Sequence, residues 1–241
     1  MRNDARIRAA RNSKKRSFAP PLPVEWAPTP PQRMKKYLVE FIGTFFLVFT
    51  VGATSIAPGA GPLAPVAIGA ALMVMIFAGG HVSGGHFNPA VTLSVWLRGK
   101  CDTKDVVPYW AAQVAAALVA AWIVLKIKMP GAAQPLALAG WKPAFVAEFL
   151  FTFALCWVVL NVATAKATAG NSFYGLAIGM TVMTGAFAVG GVSGGAFNPA
   201  VATGISVMGM SLWSSYWVLL AGEIAGSIAA ATTYKVVNGS D

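Results

Sequence analysis

Charge is scarce in this chain of 241 residues: 11% of it is Asp, Glu, Lys or Arg, and the acids number only eight. Histidine and cysteine occur twice each. These shortages exclude a good deal. Cys101, in a charged loop, and Cys156, inside an apolar run, lack metal-ligand spacing and read as free thiols. His81 and His86 lie five residues apart with no third ligand in view, too little for a metal site. No Ser-His-Asp set and no phosphate-cradling loop stands out. Neither an enzyme nor a cofactor is expected.

Hydrocarbon takes the place of charge. Hydrophobic residues make up 56% of the chain and mean hydropathy is +0.64, values that belong to a membrane protein. The net charge of +10 would raise nucleic acid as a partner, but ten of the eighteen Lys and Arg residues precede Tyr37. The basicity therefore belongs to a tail, and no nucleic-acid partner is expected. Residues 1–36, with scattered arginines and several prolines, read as a disordered cytoplasmic tail. No short apolar core with a small-residue cleavage site precedes the body of the chain, so the first span is expected to stay as an anchor.

Apolar runs fall at 36–55, 65–82, 106–126, 143–164, 172–190 and 213–236. Each is near the ~20 residues that cross ~30 Å of hydrocarbon, so six transmembrane helices are expected in a lipid bilayer. Two further segments, starting at Asn88 and Asn198, run only about ten residues and are too short to cross. They read as re-entrant half-helices, because broken backbone at membrane depth is tolerated only inside protein. Six spans put both termini on one side. The tail, with Arg98, Lys100, Lys104 and Lys166, makes that side the cytoplasm, and the plasma membrane is the expected location.

The chain also repeats itself. VEFIGTFFL around Glu40 matches VAEFLFTFAL around Glu148, GGHVSGGHFNPAV matches VGGVSGGAFNPAV, and AQVAAALVAA from Ala112 matches GEIAGSIAAA from Gly222. The body of the chain, 37–236, thus divides into repeats at about 37–127 and 143–236, with 237–241 left as a short C-terminal tail. Each repeat holds three spans. An odd number makes the second copy enter the membrane from the opposite face, an inverted repeat whose shared site falls near the midplane.

The motif at the heart of each copy has a physical reading. Asn is among the best helix N-caps, and Pro at the first helical position loses no hydrogen bond, so Asn88-Pro89-Ala90 and Asn198-Pro199-Ala200 each start a helix. The glycines before them let the backbone turn tightly. Carbonyls of Gly84, Gly85, His86, Gly194 and Ala196 are candidates to line a pore as acceptors. Inversion brings the two helix starts together, each carrying about half a positive charge, which repels cations and leaves small neutral hydrogen-bonding solutes free to pass. A secondary transporter also uses inverted repeats, but it needs a coupling-ion site, and the centre here is two Asn and hydrocarbon.

Paired NPA boxes, each preceded by SGG and a Phe, with a Glu in the first span of each half, resemble the aquaporin or major intrinsic protein family. The resemblance covers nearly everything from Tyr37 to Tyr234. It implies an all-α, six-helix inverted-repeat fold and a homotetramer whose subunits each carry a pore for water or small uncharged solutes. It also places a selectivity filter at Ile68, Ala186, Gly195 and Val201. Water-selective members usually have an aromatic, a His, a small residue and an Arg there, and this chain lacks the three large or polar groups. Val201 stands in the slot of the Arg, which implies a wider, more apolar constriction. Ala202 in place of an Asp, and the pair Tyr216-Trp217, pull back toward the water-channel pattern. Water is the lead solute, with ammonia, hydrogen peroxide, urea or glycerol as the broader alternative. By the same resemblance Glu40 and Glu148 support the re-entrant loops from behind, and Glu223 is either a packing acid or a tie to the second loop. His81 and His86 are candidates for the cytoplasmic mouth or for gating.

Overall fold

A computed structural model of the chain describes residues 31–128, 131–138 and 140–239. Among the described residues eight α-helices fall in two series: α1 (Gln32–Ser55), α2 (Ala64–Ser83), α3 (Pro89–Leu97) and α4 (Thr103–Ile127), then α5 (Trp141–Val159), α6 (Tyr174–Ser193), α7 (Pro199–Val207) and α8 (Tyr216–Asn238). Among the described residues there is no strand, only an isolated parallel bridge between Leu136 and Ser211. Five helical stretches, Arg33–Ser55, Gly61–Ser83, Thr103–Ile127, Trp141–Thr164 and Tyr174–Ser193, are long and apolar enough to cross a membrane. The sixth long helix, α8, has 23 residues and is more polar, carrying Glu223, Ser227, Thr232, Thr233 and Lys235.

The helices α3 and α7 have nine residues each, roughly 14 Å at 1.5 Å per residue, about half of a bilayer core. α1 packs on α4 and α5 on α8, while each half-helix reaches into the other repeat, α3 against α8 and α7 against α4. The repeats meet along α2 and α6. A Cβ on Gly69 would lie 2.7 Å from the carbonyl oxygen of Gly179, and Gly179 abuts the Gly69 carbonyl in return, so only hydrogen at both positions lets the two backbones touch.

Two boundaries differ from the sequence reading. Residues 32–36, assigned to the tail on their charge, form the first turn of α1 after Pro31. Their charge is accommodated because Lys36 ends 3.2 Å from Asp105 on α4. At the other end α8 runs on to Asn238. The tail reading for 1–30 lies outside the described residues.

Candidate functional site

The two re-entrant segments follow one backbone course. Phi is 93° at Gly84, 63° at Gly85 and 48° at Phe87, against 96° at Gly194, 63° at Gly195 and 49° at Phe197. Glycine takes this left-handed region freely; a phenylalanine there is strained and has to be held by its surroundings. Both rings are buried, Phe87 at 0% and Phe197 at 1% exposure. Each segment then leads into a capped helix. The Asn88 Oδ1 accepts from the N–H of Ala90 at 2.8 Å and the Asn198 Oδ1 from that of Ala200 at 2.9 Å, with Pro89 and Pro199 at the first helical positions.

The carboxamide nitrogens do not meet one another. Asn88 Nδ2 donates to the carbonyl of Phe197 and Asn198 Nδ2 to the carbonyl of Phe87, both at 2.8 Å. The half-helices are thereby joined start to start, each Asn capping its own helix and holding the strained Phe of the opposite repeat.

Behind each segment stands a fully buried acid. Glu40 accepts from Ser83 Oγ (2.7 Å), from the N–H of His86 (2.9 Å) and Phe87 (2.7 Å), and from Gln113 Nε2 (2.8 Å). Glu148 accepts from Ser193 Oγ (2.6 Å) and from the N–H of Ala196 (3.1 Å) and Phe197 (2.7 Å). Buried at membrane depth, these backbone donors would otherwise go unpaired. Glu223 takes the next donor in line, the N–H of Asn198, at 2.9 Å.

A cavity of about 310 Å³ runs past both asparagines. Ile68, Ala186, Gly195 and Val201 all line it, together with Gly85, His86, Gly194 and Ala196. Among the described residues that line it there is no Lys, Arg, Asp or Glu. Gly84 instead lines a second hollow of about 450 Å³ beside Gly80, His81 and residues 162–166 and 168–171. The two histidines thus part company: His81 is exposed in that second hollow, whereas His86 is buried, its Nδ1 3.1 Å from Thr92 Oγ1 and its ring edge-on to Tyr109. No cluster of three metal-ligating side chains occurs among the described residues. Of the aromatic pair in α8, Tyr216 shares a hydrogen bond with Thr203 of α7 at 2.8 Å, and Trp217 is exposed beside Trp141.

Sequence reading missed two kinds of residue. Ala133, Gln134 and Leu136, from the segment between the repeats, also line the main cavity. That segment is fixed where the Leu136 N–H donates to the Met210 carbonyl at 2.9 Å, a contact no local pattern announces. Tyr109 and Trp110 anchor the first half-helix alone, through Ser83 O (2.6 Å) and Pro89 O (3.1 Å). Their only signal was an aromatic pair without counterpart in the second repeat.

Long apolar helices crossing as an inverted repeat, with two half-helices joined over an uncharged cavity, define an integral multi-pass membrane channel. The sequence model of the major intrinsic protein family matches residues 28–234, and the chain belongs to that family. It is therefore a passive channel and not an enzyme. It is 39% identical over 213 residues to aquaporin NIP1-4 of Oryza sativa subsp. japonica, covering 85% of this chain and 77% of that one. It is 36% identical over 217 residues to glycerol uptake facilitator protein-like 6 of Lactiplantibacillus plantarum, covering 86% and 100%. Aquaporin AqpM of Methanothermobacter thermautotrophicus is 32% identical over 237 residues, covering 83% and 96%. In fold it matches the X-ray structure of the aquaglyceroporin from Plasmodium falciparum, with a TM-score of 0.72 at 23% identity over 86% of this chain and 97% of that one.

Proposed function

We propose that this channel conducts water together with small neutral solutes and excludes ions and protons. The observation that carries the reading is the outer lining, where Ile68, Ala186, Gly195 and Val201 present no charge and no long donor, leaving recognition to the asparagine pair and the backbone. The joined helix starts supply a positive field that opposes cations, and a charge at membrane depth costs several kcal/mol in any case. The apolar outer lining, and a relative named as a glycerol uptake facilitator, support a broad solute range that includes urea, glycerol, ammonia or hydrogen peroxide. Glu40 and Glu148 act as loop supports, and the chain assembles as a homotetramer in the plasma membrane with both termini cytoplasmic. The second hollow makes His81 the gating candidate of the two histidines.

Stopped-flow light scattering on proteoliposomes with water, urea and glycerol gradients tests this, with Val201→Arg beside the wild type. The Arg variant should spare water and slow the larger solutes roughly tenfold, the effect of ~1.4 kcal/mol on a barrier. Equal loss of every flux would sink the filter assignment, and sizeable cation current under voltage clamp would sink ion exclusion.

A further inference from the structure

Glu223 breaks the internal symmetry at a fully buried point. It occupies the place in the second repeat that Gln113 holds in the first, Ala112-Gln113 aligning with Gly222-Glu223. Both are 0% exposed. Gln113 gives one amide hydrogen to the carboxylate of Glu40 at 2.8 Å, so that acid receives four donors. Glu148, its counterpart, receives three. The missing fourth would have to come from position 223.

Glu223 stands next in line on the same segment. Its Oε1 accepts from the N–H of Asn198, while Glu148 Oε2 accepts from the N–H of Phe197, the preceding residue of the same chain. Two carboxyl groups thus sit on consecutive backbone donors. The helices that carry them are drawn together at Gly222, where a Cβ would lie 2.8 Å from Glu148 Cβ and 2.9 Å from the Phe145 carbonyl oxygen. Glu223 Oε2 has no hydrogen-bond partner. A bare carboxylate oxygen buried beside a second carboxylate is a costly arrangement, and a carboxyl that keeps its hydrogen removes the cost by donating it. No cation offsets the pair from α3, the half-helix packed against α8: Arg98 at its end meets α8 at Tyr234, 11 residues along, about 16 Å away. The segment leading into α7 offers the N–H groups of Phe197 and Asn198 at this point, and α5 offers Glu148.

We propose that Glu223 is a positioning residue of the pore centre and that it is a neutral acid, its Oε2 hydrogen donated to the Glu148 carboxylate as Gln113 donates to Glu40. The pair holds one proton and one negative charge. Glu223 then fixes the N–H of Asn198 without setting a second negative charge behind the start of α7, where it would cancel the positive helix end that opposes cations. This rests on the proposed ion-excluding pore for its consequence, but not for its chemistry.

The test uses the full chain in proteoliposomes, as wild type, Glu223→Gln and Glu223→Leu. Infrared spectra in H₂O and D₂O should show a protonated-carboxyl C=O band in the wild type that is absent from Glu223→Gln. The Gln variant keeps both hydrogen bonds, so its thermal unfolding should match wild type and its water and cation fluxes should stay within about twofold, as for an isosteric swap. The Leu variant strands the Asn198 N–H and should lose water flux roughly fivefold or more, the factor that ~1 kcal/mol on a barrier makes. Loss of no carboxyl band in Glu223→Gln would overturn the neutral acid. Failure of Glu223→Gln to fold, or a rise in its cation leak above wild type, would do the same. An unchanged Leu variant would overturn the positioning role. Because the spectrum and the unfolding scan need no permeation, they decide the proposal even if the wild-type channel passes no water.

Discussion

Residues 83–91 and 193–201 trace the same path, cap the same kind of helix and exchange the same 2.8 Å bonds, yet they are held by different neighbours. The first is surrounded by hydrogen-bonding side chains: His86 with Thr92, Gln113 on both Thr92 and Glu40, and the Tyr109 hydroxyl on Ser83. The second has Ala196, Ala202 and Leu219 at the corresponding places, and one extra acid. The difference teaches which parts of a duplicated design are fixed by the pore and which by packing. The Asn caps, the left-handed Phe and the acid behind the loop serve the shared centre and are present twice. The outer supports only have to fill space and satisfy donors, so each repeat met that demand in its own way.

The comparison can be broken most forcefully at the acids. Glu40→Leu strands four donors and Glu148→Leu three, at about 1–3 kcal/mol for each group left unpaired, with incomplete additivity. Both variants should unfold at far lower denaturant than wild type in detergent titrations, at similar midpoints, because the hydrogen proposed on Glu223 would be stranded with the three donors of Glu148. A midpoint near wild type for either variant would mean that its acid does not hold the loop.

A smaller effect is expected at the asparagines. Asn88→Ala and Asn198→Ala each remove a cap worth ~1 kcal/mol and one bond to the opposite repeat. Asn198→Ala should be the milder, because its backbone N–H stays tied to Glu223. A double-mutant cycle should return a coupling of about 0.5–3 kcal/mol, and additivity would show that the two cross-bonds do not act together.

Smaller again, Tyr109→Phe removes one hydrogen bond found only in the first repeat and should cost about 1 kcal/mol. Hydrogen exchange should quicken around residues 83–87 and stay unchanged around 193–197. Spread of the change to the second loop would mean that the two loops open as one unit.

The least effect concerns the turns that follow the half-helices. Burial, helped by the carboxylate of Asp105, pushes the Cys101 thiol up to about 11. Maleimide labelling should therefore be slow at neutral pH and rise about tenfold per pH unit until it levels near that value, since only the thiolate reacts. Fast labelling at neutral pH would show that this turn is open. The matching turn of the second repeat, at Ser211, is bridged to Leu136 and should exchange its amides more slowly.

Much of this was legible in local pattern. The nine-residue helices, their Asn and Pro starts and the left-handed glycines follow from residue chemistry that needs no partner. The acids behind the loops were legible because a Glu inside an apolar run stands out in both repeats. The first turn of α1 was misread as tail, since Lys36 pairs with an aspartate nearly seventy residues away. Gln134 carried no signal at all. It reaches the cavity because a bridge to the chain after α7 holds its segment there.

By itself the sequence determined that this chain spans a membrane, that it is built twice with opposite orientation, and that two helix starts meet inside it. Periodicity, capping and an odd number of spans per repeat are local or countable properties. Only the tertiary structure decided what faces the cavity, that each Asn holds the other repeat's Phe, and that Glu223 lies beside Glu148. Those facts depend on how closely separate helices approach, and at Gly69, Gly179 and Gly222 that approach is set by the absence of a single carbon atom.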